Sequence, residues 1–408
     1  MNFLQRLPIS GWTLFCYAMI ALASLTGSFI TLLGFLGGVV AFVSLLRDPP
    51  ETLPKEGVWL SLTFASYFAV LAITTTLNGP DPERFIEFVI ISPFIYFIPL
   101  ALILPVRCTD ISLKGLGRAA MIGTVPTAIL ALVYGALMTG LRPTLAAGNS
   151  NVLSALLLLQ TFLCLSGWLD VNKWERRMAL ACFTLGFVGL VLGVGSRGAN
   201  LSAGFLAFLC ILLWSNTQTR KIQAITLVSL VTVILLAAVL VTPISQDRVQ
   251  TLSMVAEPGF GDWSSSDLIR LTMYRGAGRA IMENPWIGMG LHLRFDGVRD
   301  FLTVQPPDNE YYRFTHVHNL FLTHGTAAGV LGILAALSLF TSVLYLAIRR
   351  AQSSAMVRWL GTICAFSLFF LGLTETVLFH DLNTTFYMFS FVLVAIFAHQ
   401  ARVQTISK

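Results

Sequence analysis

Along the chain, apolar residues come in long unbroken runs with polar residues gathered between them, and neither strand alternation nor a surface-helix stripe organises them. A run of roughly 20 apolar residues is what a helix needs to cross the hydrocarbon core. Twelve such runs can be drawn, at about 11–26, 28–46, 57–77, 84–104, 116–138, 150–168, 177–194, 197–215, 223–243, 318–348, 355–373 and 382–398. Continuous runs exclude a transmembrane β-barrel, whose strands alternate lipid-facing and lumen-facing residues. The pattern predicts an all-α polytopic membrane protein of about 12 transmembrane helices. The first run lacks a small-residue cleavage site and is followed at once by another, so it reads as an anchor helix rather than a removed signal.

Composition agrees. Of 408 residues, 56% are hydrophobic and only 11% charged, with a mean hydropathy of +0.77. Soluble chains carry about 25% charged residues. The net charge of +6 therefore reads as topology rather than as nucleic-acid affinity. The six Cys lie in or beside apolar runs and read as small membrane residues, not a disulfide framework.

Lys and Arg set the orientation. With the N-terminus inside, sixteen cations fall in the loops and ends of one side, and three (Arg84, Arg142 and Arg197) fall in the short loops of the other. This asymmetry predicts cytoplasmic termini. The chain then divides into residues 1–243 with nine spans, a large outer loop at 244–317, and residues 318–408 with three more. Loops of that length usually carry function. Within it, Asp267 to Glu283 can form a helix, with Ser264, Ser265 or Ser266 as its cap and Asn284-Pro285 as its end.

The chemistry gathers on the outer side. All five Lys are inside, and every outer cation is an Arg: 84, 142, 197, 248, 270, 275, 279, 294, 299 and 313. A guanidinium offers a planar fork matched to phosphate oxygens. Arg270, Arg275 and Arg279 fall within ten residues that hold no acid, a spacing suited to an anion among them; pairing with the nine acids of the loop is the other reading. Arg197, in Val194-Gly195-Ser196-Arg197-Gly198, sits at a near-loopless hairpin, where a charge either faces water or serves function. His292, His316, His318, His324 and His380 are also outer. His318 stands where the loop re-enters the membrane and suits a base near neutral pH, and Asn319 suits a helix cap or a polar ligand. A metal at His316 and His318 with Asp308-Asn309-Glu310 is an alternative of loose spacing. Glu375, His380 and Asp381 form an outer turn whose acids can orient a His or an Arg. No nucleotide-binding or hydrolase motif is present in the sequence.

Several pieces then fall into a familiar order: Ser196-Arg197-Gly198; Arg270-x-x-x-Tyr274-x-x-Ala277; Asn284-Pro285-x-x-Gly288-x-Gly290; and His318-Asn319-x-Phe321-Leu322 with Gly329-x-x-Gly332. With the span layout and the late loop, they resemble the O-antigen ligases, within the group shared with O-antigen polymerases and protein O-oligosaccharyltransferases. The resemblance implies a GT-C-like glycosyltransferase of the bacterial inner membrane, active on the periplasmic side. It implies an O-antigen donor on undecaprenyl diphosphate and a lipid A–core hydroxyl as acceptor. Transfer would be inverting and would need no cofactor and no metal. His318 matches the family's essential histidine, and Arg197 and Arg270 match its essential arginines. Arg142, Arg275 and Arg279 join the expected diphosphate site from charge and position, with His316, Asn319 and Tyr274 in support. A polymerase, a protein glycosyltransferase and, more distantly, a lipid-linked-sugar transporter are the other readings.

Overall fold

A computed structural model describes residues 10–79, 84–137, 143–168, 172–214, 266–293, 295–304, 316–350 and 354–406. Among them the regular structure is helical. The helices are α1 (Gly11–Leu22), α2 (Phe29–Arg47), α3 (Lys55–Leu77), α4 (Arg84–Ile91), α5 (Pro93–Arg107), α6 (Leu113–Leu137) and α7 (Ser150–Leu163). They continue as α8 (Lys173–Val188), α9 (Arg197–Trp214), α10 (Ser266–Glu283), α11 (Asp296–Arg299), α12 (Leu320–Tyr345), α13 (Ala355–Gly372) and α14 (Asp381–Ile406).

Eight described segments are long and apolar enough to cross a membrane. The protein is an all-α polytopic membrane protein. Outward-facing Phe29, Leu32, Phe35, Leu36, Val39 and Val40 on α2 fit contact with lipid, a surface that water would penalise. Eleven of the twelve expected spans coincide with helices; the run at 223–243 lies outside the described residues.

Three spans differ in detail from the sequence pattern. The first and sixth are short: at 1.5 Å per residue, α1 and α7 reach about 18 and 21 Å, less than the ~30 Å hydrocarbon thickness. A polar knot holds α1 in place nonetheless. Gln160 Nε2 donates to the Ile20 carbonyl at 2.5 Å, and Ser24 Oγ donates to Gln160 Oε1 at 2.6 Å. In an apolar interior such groups must find partners, so the knot fixes α1 against α7. The fourth span is broken at Ser92, where Pro93 opens α5.

The last helix is the axis of the bundle. α14 is buried along most of its length, from Leu382 to Ala398, and packs against α2, α3, α5 and α13. α6 lies against α1, α7 and α8, and α9 lies against α13. The loop segment has a small core of its own. Met273, Ala277 and Ala280 of α10 bury against Val298 of α11, Phe295, Leu302 and Val317. α10 ends where Asn284-Pro285 predicts; of its candidate caps, Ser264 and Ser265 lie outside the described residues, which resume at Ser266 within the helix.

α12 is not one straight rod. Ala328 (φ −139°) and Gly329 (φ 62°) break it. The backbone bonds lost there are replaced by the segment that follows α10. Met289 and Gly290 donate to the Thr326 and Ala327 carbonyls at 2.8 Å each, and Val330 donates to the Pro285 carbonyl at 2.7 Å. This is how irregular backbone survives at membrane depth. It also explains two glycines of the motif. A Cβ on Gly288 would stand 2.5 Å from the Ala328 nitrogen, and one on Gly329 would stand 2.5 Å from the Pro285 oxygen. The loop is thus fastened into the broken helix whose N-terminus carries His318.

Candidate active site at the loop and helix ends

Four segments far apart in sequence meet at one end of the bundle, the end that the cation asymmetry predicts to face outward: the start of α9, the start of α10, residues 316–319 before α12, and the turn after α13. Glu375, in that turn, is the junction. Its side chain is only 8% exposed. Its Oε1 pairs with Arg270 Nη2 at 2.9 Å, and its Oε2 faces His318 Nδ1 at 3.1 Å. One carboxylate therefore holds an arginine and a histidine side by side, one on each oxygen.

His318 sits in left-handed backbone, φ 54°. For a bulky residue that conformation is uncommon and costs on the order of 1–3 kcal/mol. Neighbouring contacts enforce it. The Tyr274 hydroxyl donates to the His318 carbonyl at 2.9 Å. Asn319 caps α12 by accepting from the Leu322 N–H at 3.0 Å, and its Nδ2 donates to the Leu373 carbonyl at 2.9 Å. Burial, with Glu375 adding to it and Arg270 opposing, pushes the Tyr274 phenol up to about 12. Tyr274 thus remains a donor at any physiological pH.

His316 is buried beside His318, with ring centres 4.5 Å apart, and meets the edge of His380 at 5.6 Å. The donor atoms of His316, His318 and Glu375 all lie within 4.8 Å of one another, a set able to hold a metal ion. The acids of the earlier metal alternative, 308–310, lie outside the described residues.

Arg197 opens α9 directly after a π-turn and Gly195 (φ 65°), the near-loopless hairpin that the sequence suggests. The next residue, Gly198, packs on Thr374: a Cβ there would lie 2.1 Å from Thr374 Oγ1. Only a bare Cα lets the α9 turn approach the Glu375 turn so closely. Arg197 itself is exposed.

The other expected arginines separate. On a helix of 3.6 residues per turn, Arg275 and Arg279 lie about 140° and 180° around α10 from Arg270. Arg279 Nη1 reaches the Phe301 carbonyl at 3.5 Å, on the side of the loop's own core. By periodicity both face away from the side of α10 that carries Arg270. Arg142 lies outside the described residues. His324 is also removed from the site: wholly buried in α12, it bonds the Tyr67 hydroxyl and the Leu320 carbonyl. Glu375, absent from the expected site residues, carried one signal: with Asp381 it is one of two acids in a turn expected to face outward and able to orient a His or an Arg.

A family model described as O-Antigen ligase matches residues 180–337. No curated protein matches the chain. The matched stretch contains Arg197, Arg270, Tyr274, His316, His318 and Asn319, together with the loop and the broken part of α12. Glu375 lies beyond its end. The similarity supports an enzyme of polysaccharide assembly, of the ligase or polymerase type.

Proposed function

We propose that the protein is an O-antigen ligase. It transfers O-antigen polysaccharide from undecaprenyl diphosphate to a hydroxyl of lipid A–core oligosaccharide, with inversion at the anomeric carbon. The observation that carries this reading is the Glu375 carboxylate holding His318 and Arg270 together beside the Arg197 turn.

An alcohol is a poor nucleophile until its proton is drawn off. With Nδ1 turned to Glu375, the neutral imidazole carries its proton there and its lone pair on Nε2. Nε2 takes the hydroxyl proton as the acceptor oxygen attacks the anomeric carbon. The bond from that carbon to the diphosphate oxygen breaks, and undecaprenyl diphosphate departs. Its charge is met by Arg197 and Arg270 at the membrane edge, where exclusion of water strengthens each contact. Glu375 steadies the imidazolium that forms. No nucleotide and no metal takes part. The lipid tail lies among the helices, which gives the enzyme its reason to be in the membrane.

The asymmetry of sixteen cations against three supports an inner-membrane protein with both termini cytoplasmic and this site periplasmic. The test is transfer by purified protein supplied with lipid-linked O-antigen and lipid A–core, read as a ladder of glycosylated product. A polymerase would instead lengthen the lipid-linked glycan, and a protein O-oligosaccharyltransferase would modify Ser or Thr. Either product, formed in place of the ladder, would overturn the ligase reading.

A further inference from the structure

The same residues have a second chemistry. We propose that His316, His318 and Glu375 form a transition-metal site, best suited to Zn²⁺, whose occupation switches off transfer. Two imidazoles and a carboxylate are a recurrent zinc donor set, which leaves the fourth position for water or an anion. The distances fit. Zinc binds such atoms at about 2.0–2.1 Å, which separates ligand atoms at tetrahedral corners by about 3.3 Å. Glu375 Oε2 and His318 Nδ1 are already 3.1 Å apart. All three donors lie within 4.8 Å of one another, so His316 has at most about 1.5 Å to close. Glu375 and His316 are both buried, which favours a defined geometry over casual surface binding.

Arg270 does not block the site. It engages Oε1, whereas the metal takes Oε2, so the carboxylate serves both at once. Softer imidazole nitrogen in the donor set favours zinc over magnesium, which prefers oxygen ligands and keeps its waters.

Inhibition follows from the valence of the ring. When the metal holds Nδ1, the neutral imidazole keeps its one proton on Nε2. The lone pair that would receive the acceptor hydroxyl proton is gone. This half of the proposal rests on His318 as the base; the binding half does not.

The experiment is calorimetric titration of the purified, chelator-stripped protein with Zn²⁺, paired with the transfer assay. One Zn²⁺ per chain is expected. His316→Ala and Glu375→Gln should each weaken binding at least tenfold, while His399→Ala, at the other end of the bundle, should bind as wild type does. Transfer should fall as the site fills, return on adding EDTA, and ignore Mg²⁺. A measurement on the unaltered chain guards against misfolded variants: Co²⁺ in the site should give the intense visible bands of tetrahedral coordination. Absence of stoichiometric Zn²⁺ binding, or only weak octahedral Co²⁺ bands, would overturn the site and leave His318 as the base. Zinc bound at the site with transfer undiminished would overturn the inhibition and the base role together.

Discussion

The two ends of the bundle carry the same trio of side chains in different settings. At the end proposed to face outward, Glu375 holds His318 and Arg270. At the opposite end, Glu56 in the first turn of α3 holds His399 Nδ1 at 3.1 Å and Arg402 Nε at 2.9 Å, both from α14. The distances match, yet the construction does not. His399 and Arg402 stand three residues apart on one regular helix, so a local spacing presents both to Glu56. Glu56 is wholly buried, and α3 and α14 simply close on it. The outer trio is assembled from three separate segments, with the histidine in left-handed backbone and a second histidine against it. A second arginine-bearing turn packs on the same loop. A Glu–His–Arg trio is therefore not in itself the mark of a site. Strain held by surrounding contacts, and chain segments brought close by glycine, distinguish the outer end. The inner trio fastens two helices.

The sharpest way to break this comparison is to remove one member at each end. His318→Ala should lower transfer by about 10²–10⁴-fold, the usual worth of a general base, with the melting temperature unchanged. Glu56→Gln should do the reverse. It should lower stability by about 1–3 kcal/mol, as one charged partner is lost from a buried set, and leave transfer within about twofold. Transfer and thermal unfolding of both variants in detergent would decide it. If Glu56→Gln lost transfer as badly as His318→Ala without melting earlier, the two ends would not differ in role.

The arginines sharpen the outer end. Arg197→Lys and Arg270→Lys keep the charge but lose the fork, since an ammonium cannot grip two phosphate oxygens in one plane. Loss of one charge-assisted bond, about 1.5–3 kcal/mol, corresponds to roughly ten- to a hundredfold in rate. Arg84→Lys and Arg248→Lys, outside every motif, should remain active. Equal activity across all four variants would remove the clamp and make the absence of outer lysines an accident of composition.

Gly329→Ala tests the seam between loop and broken helix. A methyl there meets the Pro285 oxygen and disfavours the positive φ, so the loop should sit less firmly against α12. Transfer should drop several-fold, and hydrogen exchange around 285–290 should quicken. Unchanged exchange would show that the seam is not what positions the loop.

Much of this was legible in the sequence because it is local. Unbroken apolar runs give the helices, Asn284-Pro285 ends α10, Asn319 announces the start of α12, and Gly195-Ser196 forces the hairpin before Arg197. What was hidden depends on distant partners. Nothing near Gly329 says that its helix breaks and borrows hydrogen bonds from residues some forty positions earlier. Glu375 looks like any acid in a short turn until α10 and the segment before α12 arrive on either side of it. The scatter of Arg275 and Arg279 lay within reach of helical periodicity alone, because five- and nine-residue offsets from Arg270 point to other faces. Charge density suggested one cluster where the helix separates the members.

The central claim is that the outer site joins a lipid-linked glycan to lipid A–core using the chain's own side chains. Purified protein, lipid-linked O-antigen and lipid A–core, incubated with excess EDTA and resolved on a gel, test it most directly. The account predicts a ladder of O-antigen on lipid A–core, formed at an undiminished rate in EDTA and lost with His318→Ala. No transfer until a divalent metal is restored, or a ladder undimmed in His318→Ala, would contradict it.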